Sequence, residues 1–585
     1  MRNVKDAANM TSVLAELART TPDRDSVVYV DDPGNDVDVR HPRLSYAELD
    51  AAARQLAARI QEHLAPGDRA LLLYPSGLAF PVAFFACLYA GVIAVPAPVP
   101  GRYRHERLRL AGVARNAGAR VVLTDAESRE QVEQWLDAED LTELTVLETG
   151  AAADPQPDLD DAWPVATHRT PAMLQYTSGS TADPKGVRIS HGNLLCNVDT
   201  IARTFPVHEG RRYAGWIPLF HDMGLVGLML TGILTGRSVV LLPPAGFLRR
   251  PQLWLRTISR YDVGATAAPD FAYDLCVRRI KDDQLDGVDL SCWQYAINGS
   301  EPVRAATLRA FNSRFAGVGL SPHTIVPCFG MAEATLLVSG TPHRPVRTVH
   351  ADAAALERHE FAPAGGDAVR ELVSCGAPLD IDVRIVDPTT HTVLPEGRIG
   401  ELWLSGDTVA QGYWNNETAT ARAFGAALDG TTRRYLRTGD LGFLLDGELY
   451  VTGRIKDVLV IKGRNLYPQD LEQTLRAEHS ELSGSVGAAF LVPATNGADA
   501  EDELVVAHEV RGRLDGERLS SLAVHIRQTV AREFGLSVAH VALLRPGGVS
   551  RTTSGKIQRS AVRQHFLDGE LSPIFANRVG AGWPA

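Results

Sequence analysis

Apolar and polar positions along this chain recur in two alternating periods, one near 3.6 residues and one of short extended runs, so helices and strands are expected to follow one another. Ser45-Tyr-Ala-Glu48 reads as a capping box opening an apolar-periodic helix that runs to about His63, and 69–73 then reads as a strand. A second unit follows, with an amphipathic helix over 107–118 and an extended stretch over 119–125. The most apolar region, 78–100, is cut by Pro81, Gly91 and the prolines at 96, 98 and 100. An interrupted run of this kind reads as a buried helix feeding a buried strand, not as a membrane span. Segment 148–170, rich in Ala, Asp and Pro, reads as a surface linker, and after Tyr450 the pattern changes to shorter units. No internal repeat or coiled coil is visible. Alternation of this kind predicts a parallel α/β architecture, and 585 residues exceed one ordinary core, so two or more domains are expected.

Composition narrows the function classes a little. Apolar residues make up 45% and charged residues 22% of the chain, which is ordinary globular usage. A formal net charge of −11 argues against a surface that coats nucleic acid. Cys87, Cys196, Cys276, Cys292, Cys328 and Cys375 are scattered singly with no C-x-x-C pair, so neither a zinc site nor a disulfide framework is indicated and a reducing cytoplasm is expected. The first residues carry Asp6 and no apolar core of signal-peptide length.

The strongest chemical signal lies at 173–188, where an apolar strand, Met-Leu-Gln-Tyr, opens into Thr-Ser-Gly-Ser-Thr-Ala-Asp-Pro-Lys-Gly. Glycines at 179 and 186 let the backbone turn and aim N–H groups at anionic oxygen. Thr177, Ser178, Ser180 and Thr181 add hydroxyl donors and Lys185 adds a positive charge, so the loop is suited to phosphate. It is not a Walker A loop, because Pro184 stands where that motif wants its second glycine.

The loop resembles the phosphate-binding signature of adenylate-forming enzymes, the superfamily of acyl-CoA synthetases, luciferases and peptide-synthetase adenylation domains. Further blocks follow in the expected order: Trp-Ile-Pro-Leu-Phe-His-Asp-Met-Gly at 216–224, Asn-Gly-Ser-Glu-Pro-Val at 298–303 and Cys-Phe-Gly-Met-Ala-Glu-Ala-Thr at 328–335. The second half carries Gly-Glu-Leu-Trp-Leu-Ser-Gly at 400–406, Leu-Arg-Thr-Gly-Asp-Leu-Gly at 436–442, Gly-Arg-Ile-Lys-Asp at 453–457 and Ser-Gly-Lys-Ile-Gln-Arg at 554–559. His-Asp-Met-Gly-Leu-Val-Gly, the 328–335 block and the run 462–472 look like fatty acyl-AMP ligases in particular.

The resemblance implies an α/β fold with a large multi-subdomain adenylate-forming N-terminal domain, here 1–452, and a small mobile α+β C-terminal domain, 453–585, rotating about Lys456. It implies ATP and Mg²⁺, with attack of a fatty carboxylate on the α-phosphorus giving acyl-AMP and pyrophosphate. Two anions must meet, so fixed cations and N–H dipoles are required. By resemblance Lys556 bridges carboxylate and α-phosphate, Glu333 holds Mg²⁺ with Thr181, and Lys185 serves the phosphates with Thr177, Ser178, Gly179, Ser180 and Thr181. Asp440 receives the ribose hydroxyls, with Arg454 assisting. Phe329, Gly330 and Met331 lie at the adenine, the Gly299-Ser300-Glu301 turn offers backbone groups to its other face, and His221 gates the acyl tunnel. Gly224–Gly236 could form that tunnel's wall or simply be core.

Fatty acyl-AMP ligases also carry an extra segment after the Mg²⁺ glutamate that packs on the small domain and hinders CoA use, and 339–373 is a candidate for it. The acceptor is then the phosphopantetheine thiol of a separate acyl carrier protein or synthase module in a polyketide, lipopeptide or lipid pathway. An acyl-CoA synthetase of the same fold and an inactive homologue acting as a binding module remain as alternatives. Chain length and oligomeric state are announced by no motif.

Overall fold

In the computed structural model the described residues are 3–30, 41–102, 104–150, 163–176, 184–365, 369–461, 464–493, 502–552 and 556–578. Two largely parallel sheets carry the first part of the chain. One has eight strands in the order Leu337–Gly340, Ile325–Gly330, Tyr295–Asn298, Val263–Ala268, Arg212–Gly215, Val239–Leu241, Asp25–Tyr29, Arg43–Ser45, with antiparallel partners only at its two edges. The other has six, Thr145–Glu148, Val121–Thr124, Arg69–Leu73, Ile93–Ala97, Pro171–Tyr176 and Gly186–Ser190, parallel until the last pair. Their central strands are buried along their length, as parallel strands covered by helices must be.

The apolar stretch at 78–100 is helix Ala79–Tyr89 followed by strand Ile93–Ala97, buried apart from the half-buried Ala79 and Val82. Among the described residues no helix is long and apolar enough to cross a membrane. The capping box forms as the sequence requires: Ser45 Oγ accepts from Glu48 N at 3.2 Å and Glu48 Oε2 accepts from Ser45 N at 2.7 Å, starting helix Tyr46–Gln61. The amphipathic helix begins earlier than its apolar period indicated, running Arg104–Ala117. All six cysteines are free thiols.

An antiparallel sheet built on Asp382–Val386, Gly400–Ser405, Arg434–Leu445 and Glu448–Arg454 follows. Past it, two apolar clusters draw only on residues 459–571, around a four-stranded sheet flanked by helices Pro468–Glu478, Gly516–Phe534 and Arg559–Leu567. These residues thus have a core of their own. Lys456 sits between the two regions, in the single turn Ile455–Asp457 that leaves strand Glu448–Arg454.

The segment at 339–373 forms a two-stranded ribbon, Thr348–Asp352 with Val369–Val373, and a short helix Ala353–Glu357. It meets the last region through charge. Arg464 donates to both carboxylate oxygens of Glu357 at 2.8 Å, Asn465 Nδ2 donates to Glu357 O at 2.9 Å, and Arg370 pairs with Asp470 at 2.8 Å. Arg370 also lies over the Tyr467 ring, and Tyr467 shares a small apolar cluster with Leu356 and Leu372. Bidentate arginine geometry gives the segment a defined seat despite its few large apolar side chains.

Because the Ser45 cap satisfies two otherwise orphaned donors, Ser45→Ala should destabilise by about 1 kcal/mol. The lowered urea midpoint of the first unfolding transition measures it; an unchanged midpoint would show the cap to be dispensable.

Candidate active site

The conserved chemistry of open α/β sheets sits at the carboxyl ends of their strands, and here the sequence blocks do the same. Strand Pro171–Tyr176 ends at the phosphate loop, Arg212–Gly215 at the 216–224 block, Tyr295–Asn298 at Gly299, and Ile325–Gly330 at the 328–335 block. A cavity of about 410 Å³ opens between these ends, and Lys556 reaches its wall from the last region of the chain. Gly299, Ser300, Phe329, Gly330 and Met331 form one face of it. At Gly330 a Cβ would lie 2.2 Å from Leu336 O, so only glycine permits that wall to be so thin. Ser300 has φ +74°, a strained conformation for a non-glycine residue and one that turns its backbone toward the cavity. Glu301 does not line the cavity. Its carboxylate turns to accept from Phe271 N at 2.6 Å, while Gly299 and Ser300 line the cavity.

Asp440 and Arg454 are paired across two antiparallel strands, and Arg454 Nε donates to Asp440 Oδ1 at 2.8 Å. Asp440 is only 4% exposed and lies just behind Thr438 and Arg454, which reach the cavity. Its turn is held from beneath by Glu401, which is 2% exposed. Glu401 accepts from Arg437 Nε and Trp403 Nε1 at 2.9 Å and from Gly439 N at 3.1 Å. Gly439 has φ +72°, which the turn into Asp440 requires. A buried carboxylate with three donors is a rigid support. Glu401 was visible in the Gly400–Gly406 block but nothing in the spacing gave it this task.

Glu333 lines the cavity, and burial holds its carboxyl above the ordinary range despite the Tyr413 hydroxyl that donates to Oε1 at 2.9 Å. Lys185 Nζ stands 5.3 Å over the same Tyr413 ring, so one tyrosine links the phosphate-loop lysine to the carboxylate. Backbone pairing of 412–414 with 186–188 fixes the tyrosine there, through Trp414 N to Gly186 O at 2.7 Å and Arg188 N to Gly412 O at 2.9 Å. Tyr413 was not foreseen; the Gln-Gly-Tyr-Trp-Asn-Asn run at 411–416 is its only sequence mark. Thr177, Ser178, Gly179, Ser180 and Thr181 lie outside the described residues.

Opposite, Lys556 is carried on a stapled turn: Thr552 N donates to Lys556 O at 2.7 Å, Lys556 N to Thr552 Oγ1 at 3.0 Å, and Gln558 N to Ser550 O at 2.9 Å. Arg559, three residues on, donates to both oxygens of buried Glu472 at 2.7 and 2.6 Å and anchors the turn. Burial lowers the lysine's affinity for its proton, and Asp222 works against that. His221 lines the cavity with its Nδ1 2.6 Å from Asp222 Oδ1. Although burial acts to raise it, the Asp222 carboxyl stays below its ordinary range because His221 and Lys556 stabilise its charge. Asp222 also caps the segment Met223–Leu230, an eight-residue π-helical stretch packed as core, of which Met223 and Gly227 reach the cavity. π-Helical turns recur beside functional sites because they re-aim side chains.

An AMP-binding enzyme family model matches residues 14–414. The medium-chain-fatty-acid–[acyl-carrier-protein] ligase JamA of Moorena producens is 40% identical over 90% of this chain and 90% of its own. The chain is an AMP-binding enzyme, of the fatty acyl-AMP ligase type. A solved structure from work on the fatty acyl-adenylate ligases of E. coli and L. pneumophila matches this ligase with a TM-score of 0.87 and 32% identity, covering 97% of this chain and 99% of that one. The L. pneumophila fatty acyl-adenylate ligase in complex with acyl adenylate and pyrophosphate matches with a TM-score of 0.74 and 34% identity, covering 99% of each chain.

Glu301 gives the ligase a pH signature. Burial, helped by Asp270, pushes its carboxyl up to about 7. A carboxyl whose folded pKa is raised contributes stability in full below its unfolded value, and that contribution is lost as pH rises through about 7. Glu301→Gln keeps an acceptor for Phe271 N and should flatten the fall in melting temperature between pH 5 and 8. A slope equal to the parent's would place the titration on another group.

Proposed function

We propose that this ligase activates a medium- or long-chain fatty acid with ATP and passes the acyl group to the phosphopantetheine thiol of a separate carrier protein. The observation that carries the reading is the union, in one cavity, of the charged centre around Lys556 with an apolar limb lined by Ile201, Phe205, Ala267, Ile297, Cys328 and Leu337. No residue of that limb bears a charge, which suits an alkyl chain whose carboxylate must emerge among Lys556, Asp222 and His221. The name of JamA, and the acyl adenylate held by the L. pneumophila ligase, support the same chemistry.

A carboxylate oxygen attacks the α-phosphorus, the bond to the bridging oxygen of the β-phosphate breaks, and pyrophosphate leaves. Lys556 offsets the charge gathered between the two anions, and its value comes from being fixed in place before the reaction. Asp440 and Arg454 hold the ribose side, Gly299, Ser300 and Phe329 the base, and Lys185 the phosphate side. Glu333 fits a hard cation, since a single carboxylate beside phosphates is a common Mg²⁺ ligand set and Tyr413 engages only its Oε1. Bound there, Mg²⁺ would neutralise charge on the leaving phosphates.

For transfer, the thiol sulfur attacks the acyl carbon, its proton departs, the bond to the phosphate oxygen breaks, and AMP leaves. We assign this step to a second arrangement in which 453–585 turns about Lys456 relative to 1–452. The Glu357–Arg464 and Arg370–Asp470 pairs would oppose that turn and so disfavour a soluble thiol such as CoA, which supports the carrier-protein reading. Six free thiols support a cytoplasmic setting.

Lys556→Ala should lower ATP–pyrophosphate exchange by on the order of 10²-fold or more with the melting temperature kept. Because burial lowers the lysine's pKa, exchange should also fall with rising pH below the ordinary lysine range, and Lys556→Arg should abolish that fall. Exchange within about threefold of the parent would remove Lys556 from the chemistry, and absence of exchange in the parent would leave a binding module.

Arg464→Ala with Arg370→Ala should raise acyl-CoA formation while leaving exchange within about twofold. The adenylating arrangement needs only about 3 kcal/mol of preference to hold the other below one per cent. Product mass spectrometry with CoA and with holo carrier protein separates the cases; rapid acyl-CoA synthesis by the parent would make it a CoA ligase.

A further inference from the structure

The cavity lining includes a further limb, made of residues other than those on the nucleotide and alkyl sides. It runs along helix Arg104–Ala117, where Glu106, Arg109, Leu110 and Val113 share one face at helical spacing and all line the cavity. Glu106 and Arg109 are exposed, whereas Leu110 and Val113 are buried, so this face leads from solvent inward. Pro96, within strand Ile93–Ala97, and Pro98, just past its end, line the same cavity. The helix is fixed to the phosphate-loop strands: Tyr176 OH donates to Asn116 Oδ1 at 2.7 Å, and a Cβ at Gly112 would touch Pro184 at 3.4 Å.

The outer end of this limb is basic in an acidic protein. Over 102–109 four arginines, Arg102, Arg104, Arg107 and Arg109, face one glutamate, on a chain of net charge −11. Arg102 and Arg104 are exposed, and Leu108 beside them is 45% exposed. Arginines in the first turn of a helix oppose its dipole, each at a cost of some tenths of a kcal/mol; Arg107 donates to Arg102 O at 2.9 Å, whereas Arg104 is exposed. Positive charge gathered at this opening is suited to an anionic partner. The residues proposed to hold ATP, Asp440, Arg454 and Ser300, belong to other elements than this helix.

We propose that this arginine rim is the docking surface for an acidic carrier protein, with the phosphodiester of its phosphopantetheine arm among Arg102, Arg104 and Arg107 and the thiol carried inward past Leu110 and Val113. The proposal rests on the acyl-transfer reading and adds to it the route and the recognition. It also separates the acceptor from the ATP side, so that a carrier can arrive while acyl-AMP is held. Steering of this kind acts on encounter and is screened by salt.

Arg102→Glu with Arg104→Glu tests it, since neither side chain lines the cavity. The probe is a bacterial fatty-acid-synthesis carrier protein in its holo form, fluorescently labelled, titrated at low ionic strength. The parent should bind it and the variant at least tenfold more weakly, with the gap closing at high salt. Thioester formation on the carrier should show the same rise in KM, while ATP–pyrophosphate exchange and acyl transfer to free pantetheine stay within twofold. Equal binding by parent and variant, no binding by the parent at low salt, or an equal loss of transfer to pantetheine would each overturn the docking surface. If the carrier binds in the predicted way yet no thioester forms while exchange proceeds, the docking stands and the acyl-transfer reading fails.

Discussion

The residues proposed to carry the chemistry of this ligase are arranged around one half-buried ammonium. Lys556 arrives from a region with its own core and is placed against the carboxyl ends of strands that belong to another. Even a half-buried cation is costly unless compensated, and the compensation is spread over Asp222, Glu301 and Asp440. None of these pairs with the lysine so closely as to consume its charge. That leaves a positive site able to accept two further anions, which is what joining a carboxylate to a phosphate demands.

The supports of this centre are themselves engaged, and Glu401 and Glu472 among them are buried. Glu401 binds the turn before Asp440 with three donors, Glu472 binds Arg559 behind the lysine turn, and Tyr413 ties Glu333 to the strand that follows the phosphate loop. Each works by removing freedom from a charged neighbour. The cost of ordering these groups is met in the fold, before substrate arrives, and this is the physical content of preorganisation.

The segment at 339–373 illustrates how little apolar surface is needed to seat one part of a protein on another. Leu356 and Leu372 supply a small contact, and two arginine–carboxylate pairs supply direction. Contacts of that polarity resemble those between parts that separate and rejoin more than those within a permanent core.

The sequence by itself marked the side chains expected to do chemistry. The hydroxyl-rich loop with Lys185, and Glu333, Asp440, Arg454 and Lys556, stand in blocks whose local turn chemistry is legible from glycine, proline and hydroxyl spacing, and the helix at Tyr46–Gln61 is announced by its own cap. Only the tertiary structure decided what those residues touch. Tyr413 meets Glu333 across 80 positions and Arg464 meets Glu357 across 107, and neither pairing leaves a periodic trace in the chain. Glu301 stands in the expected block and turns away from the cavity, because Phe271 N offers its carboxylate a partner that no local spacing encodes. Local signals report backbone preference within a few residues, whereas burial, charge compensation and the direction of a side chain are set by strands and helices brought together from distant parts of the sequence.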